Sequence, residues 1–162
     1  MAKMLRFTEV IDGQRGQAGR PAAAGVLTLG FEDRRRSRMR TRTDDGREAA
    51  LLLPRGTILR DGDTLRDPEG GEMVIVRAAD QTLSLVRGRD AVTLARAAYH
   101  LGNRHVPVQV GAGWLAYEHD HVLDDMIEEL GLAVETPIAP FEPEAGGYRH
   151  GGHAMEAHHH EH

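Results

Sequence analysis

Residues 81–138 read QTLSLVRGRDAVTLARAAYHLGNRHVPVQVGAGWLAYEHDHVLDDMIEELGLAVETPI, and this stretch decides the fold of the C-terminal half. QTLSLV alternates apolar and polar side chains as a half-buried strand does. VPVQV and GWLAYEH predict two further strands joined by a hairpin turn at Gly111-Ala112-Gly113. LAVETPI predicts a last strand, so the half contains four strands.

Two helices are predicted between these strands. Asp90 can cap the first helix and Gly102 can end it, whereas Asp120 can cap the second and Gly131 can end that one. The apolar positions of the first helix are Ala91, Leu94, Ala95, Ala98 and Leu101, and those of the second are Val122, Leu123, Met126, Ile127 and Leu130. The element order is therefore βαββαβ, the arrangement of ferredoxin-like domains.

The first half of the chain is typical of β-structure. VLTLGF from Val26, LLLP ending at Pro54 and MVIVRA from Met73 are apolar runs separated by glycine-containing turn signals. This spacing predicts a small sandwich or barrel. The sequence thus predicts an α+β protein with a β-rich domain over residues 1–79, a ferredoxin-like domain over residues 80–143, and a flexible histidine-rich tail over residues 144–162.

An arginine-rich stretch, RRRSRMRTRT, lies in the first half. Its alternation predicts one strand face that carries Arg34, Arg36, Arg38, Arg40 and Arg42. Such a face is either solvated or meets an acidic partner. A net charge of -5 and an aromatic content of 4% favour a protein partner or a solvated edge strand over nucleic acid.

Composition excludes several classes of function. The chain has no cysteine, which rules out disulfides, thiolate nucleophiles and cysteine-based metal sites. It has no apolar run near the roughly 18 residues of a membrane span and no signal-peptide pattern at its start, so we expect a cytoplasmic protein without membrane contact. No H-E-x-x-H, G-x-S-x-G or phosphate-binding loop motif occurs, and we expect that the chain is not an enzyme.

All ten histidines lie at or beyond His100, a segregation that average composition does not predict. Charge is segregated too, because basic residues dominate up to Thr43 and acidic residues dominate from Asp90 onward. With no cysteine, any metal must be held by nitrogen and oxygen. The histidine-bearing half is therefore where a metal site is expected.

The internal histidines differ in what their positions indicate. His105 follows the first predicted helix and should be exposed at a loop or strand start, either as a ligand or as an ordinary surface histidine. His100, one helical turn earlier, ranks below it. His119 and His121 point the same way if the chain is extended, or straddle a helix N-terminus if Asp120 starts the helix. This pair predicts a secondary metal site, with solvated histidines as the alternative.

The tail contains six histidines, and its composition is typical of a metal-binding tract. They are His150, His153, His158, His159, His160 and His162. An engineered affinity tag is the alternative explanation. The interruption by Glu161 and the separate positions of His150 and His153 favour a native tail.

The chemistry of imidazole leaves nickel, zinc and copper(II) open. Histidines on solvated segments form accessible sites, because few neighbouring groups lock the rings, and such sites can release the ion. The favoured function is therefore binding and handing over a metal. Two alternatives are a small zinc-dependent hydrolase that uses His119 and His121, and an interaction or folding module without metal whose β-rich domain grips an exposed segment.

Four segments carry a resemblance to a known family. AYHLGNRHVPVQV (98–110), GWLAYEHDHVLDDMIEELGL (113–132), APFEPEAGGY (139–148) and LLLPRGTILRDGDTL (51–65) resemble UreE, the urease accessory protein family that delivers nickel. The resemblance spans nearly the whole chain.

The resemblance implies a homodimer that carries Ni²⁺, with Zn²⁺ or Cu²⁺ as competitors. In that family the histidine that matches His105 lies at the dimer interface, where each subunit offers one ring to a shared ion. His150 or His153 would complete the ligand set, and His119 and His121 match a secondary surface site. The implied partners are the urease-accessory GTPase and, through it, the urease maturation complex.

Overall fold

The computed structural model describes residues 3–11 and 23–146 of the chain. The strands of the first half are β1 (Leu5–Phe7), β2 (Glu9–Ile11), β3 (Gly25–Leu29), β4 (Arg38–Arg42), β5 (Glu48–Leu52), β6 (Thr64–Asp67) and β7 (Glu72–Ala78), and the short helix α1 is Phe31–Arg34. The second half contains β8 (Asp80–Arg87), α2 (Ala91–Asn103), β9 (Gln109–Gly111), β10 (Trp114–Glu118), α3 (His121–Glu129), β11 (Val134–Glu135) and β12 (Ile138–Pro140). No helix in the described ranges is long and apolar enough to cross a membrane.

The strands of the first half form two sheets around one core. The sheets have the orders β1-β5-β4 and β2-β6-β7-β3. Inward residues from both sheets pack together, because successive strand residues face opposite sides of a sheet. The buried members of this core are Leu5, Phe7, Leu27, Leu29, Ala49, Leu51, Leu53, Leu59, Leu65, Val74 and Val76. The predicted β-rich, sandwich-like architecture is confirmed.

The arginine-rich stretch follows the prediction only in its second part. Arg38, Arg40 and Arg42 are exposed on one face of β4. Arg34 ends α1 and is fully buried, and Arg36 precedes the strand, so the prediction that both lie on this strand face is wrong. Arg34 is buried because of a tertiary contact, in which its guanidinium donates a hydrogen bond to the buried Leu59 carbonyl at 3.1 Å.

The second half contains a five-stranded antiparallel sheet, in which four strands have the order β11-β8-β10-β9 and the fifth, β12, also pairs with β8. This is the predicted ferredoxin-like arrangement. The two helices and one face of the sheet share a core, made by Val86, Ala97, Leu101, Leu115, Tyr117, Ile127 and Leu132. The opposite face, through Leu83 and Ala116, packs on Phe31 of the first half and on Phe141.

The buried sides of both helices differ in detail from the prediction. Ala91 and Ala95 of α2 are exposed, whereas Ala97 is buried. In α3, Val122 is 62% exposed. With about 100° of rotation per residue, Ala91 and Ala95 lie some 120° or more around the helix from Ala97, and Val122 lies equally far from buried Ile127. One side of α2 is therefore an apolar surface that the described chain does not cover.

Candidate metal site

His105 stands at the end of α2 in an unusual backbone conformation. The Val106 N–H donates to the Leu101 carbonyl at 3.2 Å, and the His105 N–H donates to the Gly102 carbonyl at 3.0 Å. These two bonds are the Schellman pattern, and Leu101 and Val106 pack together in the core as the pattern requires. Gly102 lies inside the helix, so the prediction that it ends the helix is wrong.

The terminating position of this motif needs a left-handed backbone, and here it is occupied by His105. Its φ of 56° makes it the one residue other than glycine with positive φ in the described part of the chain. A side chain in this conformation costs roughly 1–2 kcal/mol because Cβ crowds the following carbonyl oxygen. The His105 side chain is exposed, and no described residue hydrogen-bonds its ring.

His100 lies one turn before the end of α2 and is half-buried. Its ring meets the Tyr99 ring edge-on, with 5.5 Å between ring centroids. Its carbonyl accepts a hydrogen bond from Arg104 at 3.3 Å. Within residues 3–11 and 23–146, no three His, Asp or Glu side chains are grouped closely enough to hold a metal ion. His100 and His105 of one chain are therefore an incomplete ligand set in the described region.

An apolar groove of about 400 Å³ runs along α2 toward His105. It is lined by Ala91, Val92, Ala95, Arg96 and Tyr99. Val92 is 62% exposed and Tyr99 is 65% exposed. Large apolar side chains that are this exposed and contiguous are typical of surfaces that pair with another protein.

The His119 ring is held in a defined orientation by two neighbours. Its Nδ1 lies 3.1 Å from the Ser84 hydroxyl and 3.1 Å from Oδ2 of Asp124. Because an ionised carboxylate can only accept, Nδ1 is the donor in this contact, and in the neutral ring the lone pair is then on Nε2. The side chain is 41% exposed. This arrangement, a carboxylate behind a histidine, is the one that orients metal-binding imidazoles.

Asp124 is itself fixed by the buried Tyr117 hydroxyl, which donates to Oδ1 at 2.7 Å. Burial, with Asp124 beside it, raises the pKa of Tyr117 far above its ordinary value, so the phenol stays a donor. Asp124 is thus not part of the solvated side of α3, since its side chain is only 14% exposed. The signal in the sequence is the place of Asp124 beside the buried stripe, three residues before Ile127, whereas no sequence pattern indicates the roles of Tyr117 and Ser84.

His121 is the first residue of α3, directly after the cap. The Asp120 carboxylate accepts from the backbone N–H groups of Val122 at 2.8 Å and Leu123 at 3.2 Å. His119 and His121 therefore straddle the helix N-terminus, the second of the two arrangements considered. Both are exposed.

Ser84, His119 and Asp124 contain the residue types of a hydrolytic triad without its geometry. In a triad the serine bonds Nε2 and the carboxylate bonds Nδ1. Here both partners bond the same Nδ1, and Ser84 is fully buried. No nucleophile faces solvent in this group, so it is not a serine-hydrolase triad.

The tail histidines His150, His153, His158, His159, His160 and His162 lie outside the described residues, which end at Gly146.

Comparisons with known proteins agree with the architecture and extend across both halves. The family model described as the UreE urease accessory protein N-terminal domain matches residues 7–79, and the corresponding C-terminal domain model matches residues 81–162. The urease accessory protein UreE of Pseudomonas putida is 51% identical over 144 residues, which cover 89% of this chain and 86% of that protein. Its counterpart in Alkalilimnicola ehrlichii is 56% identical over 145 residues, covering 90% and 85%.

A third relative, the urease accessory protein UreE of Escherichia coli, is 52% identical over 128 residues, covering 79% of this chain and 83% of that protein. These proteins are named as accessory proteins and not as enzymes, in agreement with the expectation for this chain. Both domain matches and the identity along most of its length lead to one conclusion. The chain belongs to the UreE family of urease accessory proteins.

Proposed function

We propose that this chain is a cytoplasmic metallochaperone that binds Ni²⁺ and delivers it for assembly of the urease active site. The observation that carries the proposal is the exposed imidazole of His105 in a left-handed backbone position where glycine is the favoured residue. Relatives that are named urease accessory proteins supply the biological setting.

The conformational cost at His105 indicates that its side chain has a use outside the fold. The ring forms no hydrogen bond within the described residues, so no such bond offsets the conformational cost. Strained residues persist where function needs them. An exposed neutral imidazole that is free at both nitrogens is a ligand for Ni²⁺, Zn²⁺ or Cu²⁺. Nickel is favoured by the family.

One histidine per chain is too few, and a second copy of the chain is the source of another. The apolar groove that includes Val92, Ala95 and Tyr99 lies along the helix that ends at His105. A twofold interface uses the same surface on both partners, so a dimer whose axis passes near the C-terminal end of α2 would cover this side of the helix and bring two copies of His105 together. Homodimer formation and a shared ion are thus parts of one proposal.

The remaining histidines take unequal roles in this proposal. His150 and His153 complete the ligand set around the two copies of His105, and His100 lies close enough along α2 to assist. His119 and His121 form a secondary surface site, for which His119 presents Nε2 outward. The last four tail histidines capture ions.

Delivery requires that the ion be surrendered to a partner, which in this proposal is the urease-accessory GTPase within the urease maturation complex. His105 has no hydrogen-bonded neighbour in the described chain that would lock its ring, so exchange of ligands is fast. Each imidazole must also be neutral to bind, and acid therefore favours release.

Calorimetric titration of the full-length chain with Ni²⁺ tests the proposal. We expect one tight site per two chains, lost in His105→Ala. The matched control is His121→Ala, which removes an equally exposed histidine and should leave the tight site intact. Tight binding that survives His105→Ala would refute the role of His105.

The dimer is tested separately by sedimentation. Val92→Asp puts a charge in the apolar groove and should convert the dimer to monomer and abolish the tight site together. The control Glu128→Lys changes the charge at an exposed position of α3 outside the groove and should change neither. A monomeric wild-type chain with a tight site would contradict the shared-ion proposal.

A further inference from the structure

The outer face of the sheet β1-β5-β4 carries three arginines around one small residue. Arg6 of β1 and Arg40 of β4 both lie beside Ala50 of the central strand β5. Arg38 lies beside Leu52 in the next row of the same face. Register partners on neighbouring strands point to the same side of a sheet. Ala50 is therefore flanked by a long side chain on each side, and the face is hollow at its centre.

The hollow is a groove of about 380 Å³, called here the basic groove. Three apolar residues line it, Met4, Ala50 and Leu52, together with the three arginines. A second hollow, of about 510 Å³, shares Met4 and Arg40 with it, so the concave surface continues along β4. A surface of this length fits an extended segment of chain better than a single ion.

The three arginines of the basic groove differ from most other arginines of the first half. Eight described arginines there have a carboxylate oxygen within 4.0 Å, namely Arg34, Arg35, Arg36, Arg42, Arg47, Arg60, Arg66 and Arg77. Arg6, Arg38 and Arg40 are exposed and have no such partner among the described residues. Arg55 is the one other arginine of the described first half in this condition. The positive charge around the groove is thus uncompensated within the described chain.

Arginines on an edge strand also have a simpler use, because their charge prevents pairing with the sheets of other molecules. That use explains Arg38 and Arg40, since β4 ends the strand order of its sheet. It does not explain Arg6, whose backbone N–H on the far strand already donates to the Asp67 carboxylate at 3.1 Å. Nor does it explain an apolar groove between the charges.

The chemistry of the basic groove selects an acidic polypeptide. A guanidinium presents a planar pair of donors that matches a carboxylate. The apolar floor can take an aliphatic side chain, and the flexible Met4 side chain can adapt to its shape. Single-stranded nucleic acid binds through aromatic side chains on which its bases stack, and no aromatic side chain of the described residues lines this groove.

We propose that the basic groove binds an extended acidic segment of another protein, with an aliphatic side chain on Ala50 and carboxylates paired with Arg6 and Arg40. The dimensions agree, because two strand spacings separate Arg6 from Arg40, about 10 Å, and leave room for a chain between them. Arg38 and Arg40 are two residues apart on one strand, about 7 Å, which is also the spacing of alternate residues in an extended partner. The proposal concerns the first half of the molecule and does not depend on the metal site.

The probe for this proposal is a fluorescein-labelled nonapeptide in which two glutamates flank a central leucine on each side. Fluorescence anisotropy at low ionic strength measures its binding to the full-length chain. We expect saturable binding whose affinity falls about tenfold in Arg40→Glu, because an attractive contact is lost and a repulsive one is gained, each worth up to about fivefold. The matched control is Arg55→Glu, which makes the same change of charge at an exposed arginine outside the groove and should alter affinity less than twofold.

Two altered peptides test the chemistry of the occupant. The peptide with serine in place of leucine should bind at least threefold more weakly, and the peptide with lysine in place of glutamate should not bind. The proposal is overturned if the acidic peptide does not bind, if Arg40→Glu and Arg55→Glu lose affinity equally, or if the serine and leucine peptides bind alike.

Two other occupants are tested in the same series. Tighter binding of a single-stranded oligonucleotide with the net charge of the acidic peptide would assign the groove to nucleic acid and overturn the proposal. Sedimentation of Arg40→Glu without peptide tests a second copy of the chain. An oligomeric state equal to that of wild type supports the proposal, whereas loss of an oligomer would show that another copy of this chain fills the groove.

Discussion

The helices α2 and α3 are built alike and differ at one decisive residue. Each begins with an aspartate, Asp90 or Asp120, whose carboxylate accepts from backbone N–H groups of the first turn. Each ends in the same pair of hydrogen bonds. In α3 the left-handed position of that motif is Gly131, with φ of 82°, whereas in α2 it is His105.

At the left-handed position of α2 the chain therefore carries a residue that is less favourable for stability than glycine. At Gly131 a Cβ would meet no atom within 4 Å, so glycine serves the backbone there and not a need for space. The same backbone in α2 carries an imidazole at a cost of about 1 kcal/mol or more. A residue that lowers stability in this way is consistent with the proposed role of His105 as a metal ligand.

The largest effect is expected when α2 is given the ending of α3. His105→Gly should raise the free energy of unfolding by about 1 kcal/mol, because the left-handed strain is relieved while glycine loses more entropy on folding. Loss of a residue that only supports a metal ligand lowers metal affinity by up to roughly 100-fold. His105→Gly removes the ligand itself, so the nickel affinity of the tight site should fall by more than that. Chemical denaturation and calorimetry measure the two quantities on one preparation.

This prediction requires the free energy of unfolding to rise while the nickel affinity falls. A variant that binds less nickel because it is damaged would also be less stable, whereas His105→Gly should be more stable. Lower stability in His105→Gly would contradict the reading of the α2 ending, even if nickel binding were lost.

The next largest effect concerns His119. Hydrogen-bonding neighbours fix the orientation of its ring, whereas the His105 ring has no such neighbours in the described chain. In Asp124→Asn the Tyr117 hydroxyl still needs an acceptor and keeps the amide oxygen, which turns the amide NH₂ toward Nδ1. The proton of His119 then moves to Nε2 and blocks it. We expect about a tenfold loss of affinity at the secondary site and no change at the tight site.

Nitrogen-15 NMR of the imidazole measures the tautomer directly, and Ni²⁺ titration measures the affinity. Asp125→Asn is the control, since Asp125 is exposed on the same helix. An unchanged tautomer in Asp124→Asn would show that Ser84, and not the carboxylate, sets the ring.

The features that could be predicted from the sequence depend on neighbours in the chain. The Asp90 and Asp120 caps, the Gly131 ending and the strand order follow from short patterns, because capping and turns are local interactions. Arg34 could not be placed in this way, since its partner Glu142 lies 108 residues away. The exposure of His105 follows from its place just after the predicted helix, whereas its left-handed backbone depends on the helix continuing through Gly102.

A smaller effect is expected when glycines at the two helix ends are compared. Gly131→Ala should lower the free energy of unfolding by about 1 kcal/mol, because alanine must adopt a positive φ. Gly102→Ala should raise it by up to about 1 kcal/mol, since Gly102 is helical and a Cβ there meets no atom within 4 Å. Denaturant titration measures the free energy of unfolding of both variants. If the two substitutions change it in the same direction, the assignment of the α2 ending is contradicted.

The smallest effect is at the opposite end of α2 and depends on pH. The Thr93 backbone N–H, which donates to Asp90 at 2.8 Å, and the Thr93 hydroxyl hold the pKa of Asp90 below its ordinary value of 3.8. A carboxyl whose pKa is lowered by folding stabilises the fold above its unfolded value, and that stabilisation is lost as pH falls through the folded value. Amide exchange at Thr93, corrected for its intrinsic rate, should therefore accelerate below about pH 4. The Val106 amide, bonded to a carbonyl at the other end of the same helix, should not follow it, and Asp90→Asn should remove the difference. If Thr93 and Val106 lose protection together in wild type, the acid response belongs to the whole fold and not to the cap.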